Sequence, residues 1–345
     1  MILVVSAVVG FLFPIDSISQ TITNQEKATV QDIKYPYKFK YKGNPLVSHI
    51  SSTDPDVNVW DGEVWMYCSQ DFQQQPGEIH PYYHMDGYHA FSSKDLKNWT
   101  DHGEILHSRD LAWGKPGWMW APAVARKEGK YYLYYPHRAD STKVWSIGVA
   151  IANSPAGPFK DTGKPMEGIG GMDPKVFIDD DGTAYLYCNN SKIAKLKPNM
   201  IEIDEAPRKI DYAPKNILDD PLQRVGEGPY MHKKDGIYYY SYTNPKNPTF
   251  QGFYSMAKNP YGPFEWKGAF APAVPNAQDH HSIIEFKGQW YYFYHINTPQ
   301  TELDAMGWKG IRRIACFDKF YYNPDGTLKM VVPTTKKNKN NSVKM

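Results

Sequence analysis

Apolar and polar residues alternate along most of the chain in short runs, and five of these runs are alike: WDGEVWMYCSQD, KEGKYYLYYPHR, DDDGTAYLYCNN, KKDGIYYYSYTN and FKGQWYYFYHIN. Each has a polar turn closed by glycine, then an aromatic-rich strand, which is the pattern of a β-hairpin. Glycine lets the turn take positive φ, and residues such as Tyr131, Leu133 and Tyr135 then alternate across the pleat. The turn glycines, Gly62, Gly129, Gly182, Gly236 and Gly288, are 67, 53, 54 and 52 residues apart, a period that suits one sheet per repeat. Between the hairpins, SSKDLKNWTDHGEIL, IANSPAGPFKDTGKP and MAKNPYGPFEWKGAF share a Pro or Asp turn and an aromatic before glycine, and predict third and fourth strands. Helical periodicity is nearly absent. The pattern predicts an all-β fold, a single-domain five-bladed β-propeller of four-stranded blades over residues 30–333, with residues 30–50 as the piece that closes the ring.

Composition adds detail. The 345 residues suit one closed all-β domain. Tyr, Phe and Trp number 26, 15 and 10, or 15% of the chain, while mean hydropathy is −0.60. That combination suggests half-wet aromatic faces and surfaces for sugar stacking. Lys plus Arg (39) nearly balance Asp plus Glu (37), and the basic residues cluster only at Lys336 to Lys344, which excludes nucleic acid as a partner. The opening MILVVSAVVGFLF is apolar but too short to span a bilayer, and polar DSISQTITNQ follows. Residues 1–25 therefore read as a signal peptide and leader, giving a secreted or periplasmic protein with no membrane partner. No Lys or Arg precedes the run and no A-x-A site follows it, so a buried strand or a misplaced start is the alternative. Residues 334–345 form a polar tail. Cys68, Cys188 and Cys316 cannot all pair and lack metal-ligand spacing, so they are expected as small buried residues.

Chemistry enters at one offset. Eight or nine residues before each turn glycine stand Asp54 (TDPDV), Trp120 (WAPAV), Asp173 (MDPKV), Glu227 (GEGPY) and the Asp279 to His281 cluster (QDHHS). In a propeller these are equivalent places at the start of each innermost strand, so three carboxylates converge on one mouth. Prolines at 55, 122, 174 and 229 break the strand there. A lone Asp-Pro is usually a turn cap, but three acids at one repeat offset point to function. Converging carboxylates repel, so one is expected to stay protonated near neutrality while another stays ionised. Asp179, Asp180 and Asp181 lack calcium-loop spacing and are assigned to a solvent-facing turn.

The ordered motifs D-P, W-A-P, D-P-x-V-F-x-D-D-D-G, E-G-P and H-H-S make residues 44–333 resemble glycoside hydrolase family 43. The resemblance implies a five-bladed propeller and an inverting glycosidase, with Asp54 as general base, Glu227 as general acid and Asp173 holding the acid's pKa up. Base and acid should then lie roughly 6.5–9.5 Å apart. It also implies sugar contacts from Arg313, Trp120 and His281, and marks His281 as an axial histidine that helps hold a structural calcium ion through water, with His280 the neighbouring alternative. No cofactor is required. Arg312 is expected on the surface, His137 is a weaker pocket candidate, and Asp56 competes with Asp54 because two positions along a strand is the same face. The implied function is exo-acting removal of α-L-arabinofuranosyl or β-D-xylosyl units from plant cell-wall poly- or oligosaccharide. A galactoside-cleaving relative and a carbohydrate-binding propeller that has lost catalysis are the alternatives. A retaining fructosidase, marked by an N-D-P-N motif, is disfavoured by TDPD.

Overall fold

The computed structural model describes residues 33–74, 76–77, 84–138, 144–189, 191–213, 227–244, 251–272 and 280–334. The predicted signal peptide, the tail beyond residue 334, and Asp279 lie outside the described residues. Four of the five glycine turns take positive φ at both central positions: Asp61–Gly62 (52°, 74°), Glu128–Gly129 (50°, 76°), Asp235–Gly236 (50°, 75°) and Lys287–Gly288 (52°, 76°). This geometry matches the natural strand twist and joins two antiparallel strands with no residue to spare. The fifth hairpin, Lys175–Ile178 with Ala184–Cys188, is linked by a longer turn through Gly182.

Each hairpin supplies the two inner strands of one blade. The first blade runs outward through Thr53–Trp60, Glu63–Ser69, Gly87–Ser93, Asn98–His107 and Tyr37–Lys40. The second is Ala123–Lys127, Lys130–Arg138, Trp145–Ala152 and Lys160–Asp161; the third adds Lys192–Lys195 and Arg208–Lys209 outside its hairpin. The fourth is Glu227–Lys234, Ile237–Thr243, Gly252–Ala257 and Phe264–Ala271, with Tyr212–Ala213 parallel at its edge. The fifth has three strands among the described residues, Ser282–Phe286, Gln289–Asn297 and Arg313–Phe320. The five blades are as predicted, but their strand numbers vary.

Closure comes from the segment expected to supply it. Tyr37–Lys40 caps the first blade's outer edge, and residues 44–52 run beside the last strand of the fifth. There the Leu46 and Ser52 amides donate to the Ala315 and Arg313 carbonyls, at 2.7 and 3.1 Å. The edge is satisfied by this segment laid along it without forming a regular strand.

The aromatic strands face dry surfaces on both sides. In Lys130–Arg138, Tyr132 and Tyr134 pack toward the third blade while Tyr131, Leu133 and Tyr135 pack toward the first. Five hydrophobic clusters result, one at each blade-to-blade interface including the fifth against the first. The expected half-wet faces are thus buried, because a blade in a closed ring has a neighbour on each side. Cys68, Cys188 and Cys316 are free and buried within three of these clusters. Asp179 corrects the solvent assignment, since it accepts hydrogen bonds from Lys233 (2.6 Å) and the Tyr238 hydroxyl of the next blade.

Two glycines separate conformational from packing cost. A Cβ on Gly236 would meet nothing within 4 Å, so Gly236→Ala costs only its left-handed backbone, about 1 kcal/mol. A Cβ on Gly148 would lie 2.2 Å from the Tyr135 ring, whose hydroxyl donates to Asp161 at 2.5 Å. Urea unfolding is expected to show a small loss for Gly236→Ala and at least twice that loss for Gly148→Ala.

Candidate active site

The start of an innermost strand is where a regular ladder would waste a side chain. The chain breaks register there, between Thr53 and Asp56 and again between Glu227 and Tyr230. Asp54 (φ 53°) and Asp173 (φ 55°) take the left-handed conformation, as does Gly228 (φ 58°) beside Glu227. A non-glycine residue in this region costs on the order of 1 kcal/mol or more, a strain that functional sites tend to store. The bulge re-aims the carboxyls, and the prolines that follow need no ladder donor.

One cleft is lined by Asp54, Asp173, Glu227, Trp120, Arg313 and His280, with Met85, Ala121 and Met172. Trp120 forms one wall, backed by Trp145 at 4.4 Å between ring centroids, and its carbonyl accepts from the Tyr88 hydroxyl at 2.6 Å.

Asp54 is buried and surrounded by donors. Burial alone would raise its pKa, but Arg313, His280, His295 and the Ser69 hydroxyl together hold it well below the usual carboxylate range. Arg313 Nη1 lies 3.2 Å from Asp54 Oδ1, and Ser69 donates to Oδ2 at 2.6 Å. Arg313 is itself clamped by Asp71, which accepts from its Nη2 at 2.7 Å and from its backbone amide at 2.7 Å. Glu227 shows the opposite balance. Burial first, and then the neighbouring Asp173 charge, push it from the ordinary 4.5 up to about 7. Burial also raises Asp173, against the pull of His280 (3.9 Å) and of the Gly228 amide (3.3 Å). The cleft therefore holds one carboxyl that stays ionised and one that carries a proton near neutrality, the division that acid–base chemistry requires.

Other candidates fall elsewhere. Asp56 is turned below the cleft, where it pairs with Lys175, so the bulge separates it from Asp54. His281 does not line the cleft; the adjacent His280 does, because successive residues of the strand start point oppositely. His281 sits in the axial cavity beneath, with its Nε2 2.7 Å from the Ser241 hydroxyl and its ring among Tyr230, Phe270 and Tyr292. His137 is fully buried against Trp113, away from the cleft. Arg312 is not on the surface: only 5% exposed, it donates to the Ser48 carbonyl at 3.0 Å beneath the segment that carries Thr298 and Trp308.

Ser69, Asp71 and His295 were not singled out from the sequence, yet a second offset marks two of them. Seven residues after the turn glycines stand Ser69, Pro136, Asn189, Thr243 and His295. Four of these bond to the start of an innermost strand or the residues just before it: Ser69 and His295 to Asp54, Asn189 to Met172, and Thr243 to the Glu227 carbonyl. Asp71 carries no such signal.

The axial cavity is also where the family resemblance would put calcium. Calcium takes six to eight oxygen ligands. Among the described residues no group of three or more His, Cys, Asp or Glu side chains is arranged to hold a metal. Lys175, a buried ammonium paired with Asp56, lines the cavity together with His281. The residues present do not fit the ion.

A five-bladed propeller whose central mouth gathers three carboxyls, two of them tuned apart, defines a hydrolase of the carboxyl-pair type. The family model for glycosyl hydrolases family 43 matches residues 42–328, and the chain belongs to that family. It is 35% identical to a xylosidase/arabinosidase 43A of Humicola insolens, over 82% of this chain and 98% of that protein. An arabinoxylan arabinofuranohydrolase of Bacillus subtilis is 31% identical over 84% of this chain and 64% of its own length. Among solved structures, a β-xylosidase/α-arabinofuranosidase from a compost metagenome, with xylotriose and free of calcium, superposes with a TM-score of 0.75 at 30% identity, covering 87% of this chain and all of that one. A Xanthomonas citri enzyme complexed with xylotriose gives 0.75 at 29% identity, over 86% and 95% of the two chains.

A carboxyl whose folded pKa is raised works against stability. Between pH 4.5, where unfolded Glu227 ionises, and about 7, the folded state binds the extra proton, so stability falls as pH rises. Above about 7 the loss levels off at about 3 kcal/mol. Glu227→Gln is therefore expected to melt higher than the parent at pH 8 and alike at pH 4.5, as read by calorimetry; an equal difference at both would contradict the raised pKa.

Proposed function

We propose that this family member is an inverting, exo-acting glycosidase that removes β-D-xylosyl or α-L-arabinofuranosyl units from plant cell-wall saccharides. The observation that carries the reading is the cleft that holds both Asp54, kept ionised, and Glu227, whose pKa is pushed up to about 7. In this reading Asp54 takes a proton from a water that attacks the anomeric carbon. Glu227 gives its proton to the leaving oxygen as the carbon–oxygen bond breaks. At the end Asp54 is protonated and Glu227 ionised, and exchange with solvent resets both. Asp173 keeps Glu227 protonated through its nearby charge, and Arg313 is held by Asp71 with its donor fork at the cleft floor, where sugar hydroxyls would lie. Trp120 offers its ring face to the sugar. The carboxyl pair and water suffice for this reaction, so no cofactor enters it. The pentosides named for the Humicola, Bacillus and compost relatives support the choice of sugar. The apolar N-terminal segment and a polymeric substrate support action outside the cytoplasm.

Hydrolysis of nitrophenyl β-D-xyloside, α-L-arabinofuranoside and β-D-galactoside, with product anomers followed by proton NMR, tests this directly. Inverted pentose from one or both pentosides is expected; retained configuration would overturn the mechanism, and preference for the galactoside would favour the galactoside-cleaving alternative. The pH profile follows from the tuned pair. Because the acid must be protonated, kcat/KM should hold on the acidic side and fall tenfold per unit above about pH 7. Glu227→Ala should cost about 10²–10⁴-fold in kcat on xylo-oligosaccharide and lose that alkaline limb; an unchanged rate would remove Glu227 from the mechanism.

A further inference from the structure

Beneath the cleft the propeller axis continues as a small cavity bordered by Asp54, Asp56, Asp173, Lys175, Tyr230 and His281. It is followed by a wide funnel lined by the inner strands of all five blades. Lys175 and Tyr230 line both spaces, so together they form the partition between them.

The Lys175 side chain is 6% exposed, and its ammonium donates to Asp56 while standing 4.5 Å from the centre of the Tyr230 ring. Asp56 spends its other oxygen on the Val124 amide (2.8 Å) and on Asn58 Nδ2 (2.9 Å). One cation thus ties together strands of the first, second, third and fourth blades. His281 of the fifth borders the same cavity through a ring whose remaining nitrogen, Nδ1, has no hydrogen-bond partner among the described residues. With one imidazole nitrogen on offer, a calcium ion here would have to draw most of its ligands from water. A second, divalent charge would meet the ammonium in a water-poor space where like charges repel strongly.

We propose that Lys175 is a tethered cation that takes the structural place of an axial metal, tying the inner strands of the blades so that this protein folds and works without calcium. A buried ammonium–carboxylate pair cannot be chelated away or diluted out, whereas a bound ion can. The pair is also costly to break from one side, because the surviving charge is left buried and unpaired.

The test uses the full-length protein, with metal content measured by plasma mass spectrometry and thermal midpoints measured in excess EDTA and in millimolar calcium chloride. The proposal expects no stoichiometric calcium and the same midpoint in both solutions. Stoichiometric calcium, a midpoint lowered by EDTA, or one raised by calcium would overturn it. Lys175→Met keeps an unbranched side chain, one atom shorter, and removes the charge. It is expected to lower the midpoint by several degrees or to prevent folding; an unchanged midpoint would show that the ammonium ties nothing together. If the variant does not fold, the parent protein's metal content and EDTA response still decide.

Discussion

Like charges brought to one axis repel, and much of the architecture at the centre of this propeller serves to manage that repulsion. Radial symmetry of the hairpins delivers Asp54, Asp56, Asp173 and Glu227 to the same narrow space. Four carboxylates cannot all ionise there without partners. The protein resolves the conflict by depth and by unequal neighbours. Asp56 is sent below and neutralised by Lys175, Asp54 is held ionised by Arg313 and donors around it, and Glu227 is left beside an acid and away from a direct cation, so it keeps its proton.

The positive φ values at Asp54 and Asp173 belong to the same economy. A regular strand would point residues 54 and 56 the same way, and both acids would face the cleft. The register break lets alternate acids part, one to the mouth and one to the axial cavity. The cost in backbone strain is carried by the five blade-to-blade clusters, which fix the hairpins far from the chemistry.

Much of this was legible in the sequence because it is local. The glycine turns announce the hairpins, and a fixed offset before them finds Asp54, Trp120, Asp173 and Glu227. What was not legible depends on contacts between distant segments. Asp71 reaches Arg313 across 242 residues, and no periodicity marks it. The choice between His280 and His281, or between Asp54 and Asp56, turns on a bulge that spacing does not reveal. Arg312 looked like a surface residue by alternation, and only the segment folded over it through Thr298 shows otherwise. The axial lysine stood in plain view within MDPKV, but its partner Asp56 lies 119 positions away.

The central claim is that one cleft holds two carboxyls in opposite protonation states near neutral pH. Carbon-13 NMR of the enzyme labelled at glutamate side-chain carboxyls reads this without substrate, once the Glu227 resonance is assigned by its absence in Glu227→Gln. The account predicts a Glu227 titration midpoint near 7, falling toward the ordinary value when Asp173 is replaced by Asn. A midpoint at the ordinary 4.5 in the parent enzyme would contradict it.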